Sequence, residues 1–565
     1  MASPNVTFHT GGCYFEGGSL ILRSVVKTLV VIIGILLFTS GTSASFNDQC
    51  LSNITRIYLP PELRQIMDKN REMTFPPIHP DLEDTLNSFV MIDMDREEHT
   101  RVFEILRQIR IRHDRPDLRR TFMTADLNVF LTHEQIREEI GFFFDLLRHG
   151  YDGYLYFGGD NVFLPVRDAM LERLVDMADP LQVSSYLNDL IVPAMQGVVA
   201  DNHFWIHHTR FGPLAYMPYM NDRFILRKGE DGFTTKIDGG LYRVLEVVEL
   251  PSSFVDGIMP TLTSEGEVAW VFGLVTAYIW QNTVEIKVLF ENIVTGERHY
   301  RIVDLERVDS PRLPIYPALV KREVEGVMVM ENRNLLNPEE DEVFLLSGYE
   351  LRDRQILVMD LRGHIGGGSM LPSLWIEMYT GQRPQRNSLF AVSSLQRLRV
   401  PVELINFFVP LNEVMRFDRH MESVMDRHPR FASMRGANDT VPDPLHLITS
   451  VPSIPLPTSI PNENFIIVLI DKNVVSAGEL FVGHLRQLEN VLVVGTNTSG
   501  SFFSGGVGRT ILPYSGLPVI FGTQLHLRHD LTRFEGIGFM PDLWVPPQES
   551  LERVLRFIER YGLAR

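Results

Sequence analysis

The sequence predicts a multidomain α/β chain with a helical N-terminal domain, a small β-rich module and a C-terminal α/β domain. Three observations carry that expectation. The chain has 565 residues, and domains average about 150. Apolar residues make up 44% and charged residues 22%, which allows a sizeable buried core. The apolar period also changes twice, from helical spacing to short strands and then to strands alternating with helices.

The N-terminal end carries an apolar run from Leu29 to Phe38, behind Arg23 and Lys27. Helix over that run spans about 15 Å, against a bilayer core of about 30 Å. It reads as the apolar part of a signal peptide, with Thr42 and Ala44 before the cut. Residues 1–44 are assigned to this leader; an uncleaved membrane anchor is the alternative. The expected mature protein is exported, to a periplasm or the extracellular space, and has no integral membrane span. Only Cys50 would remain after the loss of Cys13, which excludes a disulfide scaffold. Asn53, Asn438 and Asn497 each open a glycosylation sequon.

Residues 45–195 form the predicted helical domain. Val102, Phe103, Leu106 and Ile109 recur at helical spacing. Thr132 and Gln135 form a capping box ahead of Ile136, Ile140, Phe143 and Leu147. From 230 to 308, short alternating or β-branched runs (Tyr242–Val247, Ala269–Phe272, Val284–Phe290) are separated by glycines. From 311 to 565, apolar strands at Ile356–Met359, Phe465–Ile470, Val491–Val494 and Val519–Phe521 alternate with helical stretches. A Pro-rich stretch near 436–463 reads as an inserted loop.

Charge removes two functional classes. Asp and Glu number 71 against 53 Lys and Arg, a net charge of −18. Neither nucleic acid nor an anionic membrane surface is an expected partner. The 17 His and 2 Cys show no metal-ligand spacing. No metal and no cofactor is expected.

Chemistry is expected at two strand ends in the last domain. The strand at Ile356 runs into Asp360-Leu-Arg-Gly-His-Ile-Gly-Gly-Gly368. Its glycines let backbone N–H groups approach a ligand. A dinucleotide fingerprint is the competing reading, but its spacing and its acidic residue are missing. The strand at Phe465 ends before Ser476-Ala-Gly-Glu479, where a helix opens. A serine there is an N-cap or a nucleophile. For a nucleophile, the N–H of Ala477 and the Gly366–Gly367 turn are the candidate oxyanion donors.

Together these segments resemble the carboxy-terminal processing, or tail-specific, serine protease family. Its D-L-R-x-N-x-G-G block is similar to Asp360–Gly367, with His364 in place of the asparagine. Its S-A-G-E block is similar to Ser476–Glu479. Val494-Gly-Thr-Asn-Thr-Ser-Gly500 and Gly538-Phe-Met-Pro-Asp-Leu-Trp-Val545 resemble two further blocks. The resemblance covers residues 311–550 and implies a crotonase-like or ClpP-like protease fold, with a PDZ-like module at 230–308. It implies protein or peptide substrates, and it leaves oligomeric state open, a homo-oligomer included.

The family activates its serine in two ways. One branch uses a lysine directly after the T-x-G block, where this chain has Ser501. The other, tricorn-core-like branch uses a histidine ahead of the PDZ-like module and a late glutamate. Asp201-Asn-His203, in the 196–229 segment, resembles the histidine motif, and Glu535 stands at the glutamate position. The expected roles are Ser476 as nucleophile, His203 as base and Glu535 as its orienting carboxylate. Rivals for the base are Lys472, His207 and His208, and Asp201 rivals Glu535. His364 reads as a pocket-rim variation or a substrate contact, and Glu479 as an electrostatic partner of the helix start. The alternative functions are apolar-ligand binding of the retinoid type on the same fold, and peptide binding without catalysis.

Overall fold

In the computed structural model, described residues run from 59 to 563. They leave out 90–94, 114–124, four positions between 251 and 256, 278–280, 337, 385–389, 395–399, 401–403 and 405–453. The leader, both cysteines, the sequons at Asn53 and Asn438, and residues 436–453 of the Pro-rich stretch therefore lie outside the described residues.

Among the first helices are α1 (Pro61–Thr74), α2 (Arg96–His113), α3 (His133–Gly150) and α4 (Asp160–Val175), with a short helix at Leu82–Ser88 between the first two. The capping box opens α3: Thr132 N–H donates to Gln135 Oε1 at 3.0 Å, and Gln135 N–H donates to Thr132 Oγ1 at 3.3 Å. Ile136, Ile140, Phe143 and Leu147 are buried, as their spacing requires. They have no core to themselves. One cluster joins them to Val102, Leu190, Phe204 and Ile206, and also to Ile511, Leu517, Val519 and Phe521 from the far end of the chain.

The next segment supplies two short strands, β1 (Trp205–Ile206) and β2 (Thr209–Arg210). A β-rich module follows, with β3 (Tyr216–Gly229), β4 (Gly232–Ile237), β5 (Gly240–Glu249), β6 (Ile258–Leu262), β7 (Val268–Ala277), β8 (Thr283–Asn292) and β9 (Arg298–Arg307). Their order is β9-β8-β5-β4-β3-β7-β6, and β9 also pairs with β3, at Glu306↔Met220 and Arg307↔Tyr219. Five strands thus close on themselves around Phe272, Ile286, Val288, Phe290 and Leu305. No helix interrupts this module among the described residues.

The last part is layered α/β. Its elements are β10 (Leu319–Val324), β11 (Val327–Asn332), α5 (Pro338–Leu351), β12 (Ile356–Asp360), α6 (Leu371–Thr380), β13 (Phe465–Ile470), α7 (Ala477–Leu485) and β14 (Val491–Gly495). They continue with β15 (Gly508–Ile511), β16 (Pro518–Phe521), β17 (Leu543–Trp544) and α8 (Ser550–Arg560). The main sheet has the order β10-β11-β12-β13-β14-β17 and is parallel from β11 onward. Every residue of β12 and β13 is buried, as apolar runs covered on both faces should be.

Val519–Phe521 departs from the expected α/β layer. It belongs to β16 in a separate antiparallel sheet, β15-β16-β1-β2. Register there sets Ile206 against Val519 and Trp205 against Ile520. The segment just after His203 is thus sewn into the C-terminal part of the chain. Strand pairing across some 300 residues leaves no periodic mark in the sequence.

Candidate active site

The carboxyl ends of β12, β13 and β14 coincide: Asp360 lies opposite Leu469, and Leu469 opposite Val494. Open α/β sheets place their ligands at this edge. Both expected loops leave from it. In the first, Arg362 grips Asp360 through Nε at 2.8 Å and Nη2 at 2.6 Å, and Arg333 Nη2 adds a contact at 2.9 Å. Burial would raise the Asp360 carboxyl, but the two guanidinium groups outweigh it and hold it down to about 2. The turn beyond has no room for side chains. A Cβ at Gly367 would stand 2.1 Å from Leu335 O, and one at Gly366 would stand 3.1 Å from Ser476 Cβ.

Ser476 ends the second loop and caps α7 with φ 53° and ψ −120°. A side chain held in that region stores of order 1–3 kcal/mol, and such positions cluster at active sites. Two hydrogen bonds tie the loops together. Val475 N–H donates to His364 O at 3.0 Å, and Gly363 N–H donates to Asp471 Oδ1 at 2.9 Å. Among the described residues, the N–H groups of Gly367 and Ala477 have no acceptor. That of Gly366 donates to His364 Nδ1 at 3.0 Å. Of the three expected oxyanion donors, Gly366 is therefore already engaged, and Gly367 and Ala477 remain open.

His364 corrects the rim reading. It is fully buried, and its Nε2 lies 2.9 Å from Asn332 Oδ1. Glu479 also does more than serve the helix start. Its Oε1 accepts from Thr498 Oγ1 at 2.6 Å and Gly500 N–H at 2.7 Å. Its Oε2 accepts from Ser501 N–H at 2.7 Å and Ser476 N–H at 3.2 Å. The T-x-G block is thereby bound to the Ser476 turn. A glutamate three residues after a serine signals a capping box, but the outside partners leave no such signal.

His203 sits two residues ahead of β1. Its N–H donates to Asp201 Oδ1 at 2.8 Å, and its Nδ1 is buried with no partner among the described residues. Burial first, and the charge of Arg210 second, lower its pKa to about 4. Glu535 does not meet the ring. Its Oε1 accepts from Asn202 N–H at 2.7 Å, and its Oε2 from Phe502 N–H at 2.9 Å and Phe503 N–H at 2.8 Å. Burial and the charge of Asp201 push Glu535 up to about 8 against those donors. Asp201 is likewise occupied, with Tyr151 O–H at 3.1 Å and Ser504 Oγ at 2.6 Å on Oδ2. No described hydrogen bond joins Ser476, His203 and Glu535. What unites them is a shared frame: Asn202 Nδ2 donates to Gly500 O at 2.8 Å, and Arg210 Nη2 to Ser501 Oγ at 3.0 Å.

His207 and His208 form the β1–β2 turn, with His207 N–H on Pro518 O at 2.7 Å. Lys472 Nζ donates to the carbonyls of Thr498 at 2.9 Å, Ser499 at 3.2 Å and Gly536 at 2.9 Å. Burial lowers its pKa to about 7, with Glu479 pulling the other way. Beside Ser476 opens a cavity of about 240 Å³, lined by Gly367, Leu480, His484, Phe502, Ser504 and His526 among others. Asn497 is fully buried, and its Nδ2 donates to Tyr216 O at 3.1 Å and Ile537 O at 2.6 Å.

Among the described residues, no group of three or more His, Cys, Asp or Glu could hold a metal ion. No helix among them is long and apolar enough to cross a membrane.

Residues 403–545 match the model of peptidase family S41. No curated protein matches the chain. Among solved structures, mature CPAF is similar over 76% of this chain and 96% of its own, at 13% identity and a TM-score of 0.36. The photosystem II D1 C-terminal processing protease is similar over 75% and 97%, at 13% identity and 0.32. The tricorn protease is similar over 76% and 37%, at 14% identity and 0.30. The match to peptidase family S41 thus falls on the segment that carries Ser476.

Proposed function

We propose that this chain is an exported serine endopeptidase acting through an acyl-enzyme, in the histidine-dependent, tricorn-like branch of its family. The observation that carries the reading is Ser476 itself. It stands in a strained turn at a helix start, beside a cavity and next to two unengaged N–H groups. In this reading Ser476 attacks the scissile carbonyl and His203 takes its proton, later returning it to the leaving amine. Gly367 and Ala477 hold the oxyanion. Glu535 acts on His203 through the backbone, by fixing Asn202 beside it.

The histidine branch is supported by the place where the other branch keeps its lysine. There Ser501 is held by Arg210 and by Ser499 Oγ at 2.9 Å. Lys472 has its amine donors engaged by three carbonyls, which disfavours it as the base of Ser476 even though burial lowers its pKa to about 7. Export rests on the apolar run at Leu29–Phe38. At about 240 Å³ the cavity beside Ser476 is below the roughly 300–1,000 Å³ of ordinary small-molecule sites, so this cavity is not of retinoid-binding size.

The test is cleavage of casein by wild type, Ser476→Ala and His203→Ala. Both variants should lose activity by on the order of 10⁴–10⁶ while staying folded by circular dichroism. If only Ser476→Ala is dead, the base is another residue. One observation favours a second reading, peptide binding without catalysis: the three side chains share no hydrogen bond. Apo sites are often loose in this way. Failure of a fluorophosphonate to label Ser476, with casein intact, would overturn the protease reading and put the second reading ahead.

A further inference from the structure

We propose that His364 is a positioning residue for the oxyanion turn, acting as a neutral ring that holds Gly366 so that Gly367 N–H stays available beside Ser476. The inference rests on the protease reading above and goes beyond it.

The hydrogen bonds define the ring's state. Gly366 N–H points to His364 Nδ1 at 3.0 Å, so Nδ1 must carry a lone pair. The proton is then on Nε2, which donates to Asn332 Oδ1 at 2.9 Å. Asn332 is oriented to accept, because its Nδ2 donates to Ala318 O and Asn334 O, both at 3.2 Å. Burial drives His364 down to about 3, so the ring stays neutral throughout the ordinary pH range.

The contact from residue 364 to the N–H of residue 366 has the geometry of an Asx turn, in which a side-chain oxygen mimics a backbone carbonyl. Histidine Nδ1 and asparagine Oδ1 are both one bond beyond Cγ. The histidine therefore does what the asparagine in the resembling motif can do. It also adds an anchor that asparagine cannot reach, to Asn332 at the end of β11. The ring packs under the nucleophile turn, where a Cβ at Gly478 would stand 2.6 Å from Nδ1. Its own carbonyl receives Val475 N–H, one residue before Ser476. One side chain thus fixes the donor turn relative to the nucleophile, without touching the substrate.

An oxyanion donor acts in the transition state more than in the bound substrate, so its displacement lowers kcat and leaves KM nearly unchanged. With a fluorogenic peptide, His364→Leu should lower kcat by on the order of 10²-fold, with KM within about threefold. His364→Asn should recover kcat to within about tenfold of wild type. The inference is overturned if His364→Leu keeps kcat within about threefold, if its loss lies in KM, or if His364→Asn is as impaired as the leucine variant. If wild type is no more active than Ser476→Ala, the protease reading fails and this inference with it.

A second measurement does not depend on the leucine variant folding. In ¹⁵N-histidine-labelled protein, the His364 signals are those missing from the His364→Asn spectrum. At pH 7, Nδ1 should show the shift of an unprotonated nitrogen and Nε2 that of a protonated one. A protonated Nδ1 overturns the inference whatever the kinetics.

Discussion

As the proposed base, His203 would accept the serine proton only while its own ring is neutral. Its pKa is lowered to about 4 by burial and by Arg210, against about 6.5 for an exposed histidine. The acid limb of kcat/KM should therefore fall near pH 4 instead of 6.5, measured with a fluorogenic peptide from pH 3 to 9. The sign for stability follows. The unfolded chain takes up this proton near 6.5 and the folded chain only near 4. Stability from this group is full above 6.5 and declines as pH drops from 6.5 toward 4. At this scale the sequence is legible where a residue's type carries its own chemistry. Ser476, the Gly366–Gly367 turn and the Asp360–Arg362 pair stand out from their motif spacing. His364 and Glu479 also stand out, but their work depends on partners at 332 and at 498–501, and no local pattern names those.

Among the elements, β1 decides where His203 sits. It is only two residues long, and its partner β16 lies some 300 positions away. Ile206 is the fully buried residue of that strand. Ile206→Ala should cost about 2–5 kcal/mol of stability. It should also lower kcat, because the loosened strand no longer fixes the loop ahead of it. A melting curve and kinetics on one preparation check both effects; unchanged kcat in a destabilised variant would remove β1 from the positioning of the base. Long apolar strands such as β13 were readable because burial on both faces writes a continuous run. A strand of two residues has no period to read, which explains why β1 and the sheet it joins could not be foreseen. The β-rich module was visible in its alternation and its glycines. Its closure through β9 and β3 was not, since register is set by packing between strands.

Across the whole molecule, the helices and the last strands share one interior. The apolar period identified the helices, but periodicity cannot say against what a face will pack. Leu147 and Val519 belong to the same cluster, so a helical domain does not peel away from the rest. A chain beginning at residue 196 should be unable to fold. It should show no near-ultraviolet dichroism and no cooperative melting. A cooperative transition within a few degrees of full length would mean that the C-terminal part carries its own core after all.

Asn497 has a consequence for how the protein can be made. Oligosaccharide is transferred to asparagine sequons while a chain is still emerging, before the site is folded away. In the folded molecule this side chain is sealed inside and donates to Tyr216 and Ile537. A sugar added early would have nowhere to go. Production through a glycosylating secretory host would therefore yield a population that cannot mature, whereas a host without that transferase would not face the problem.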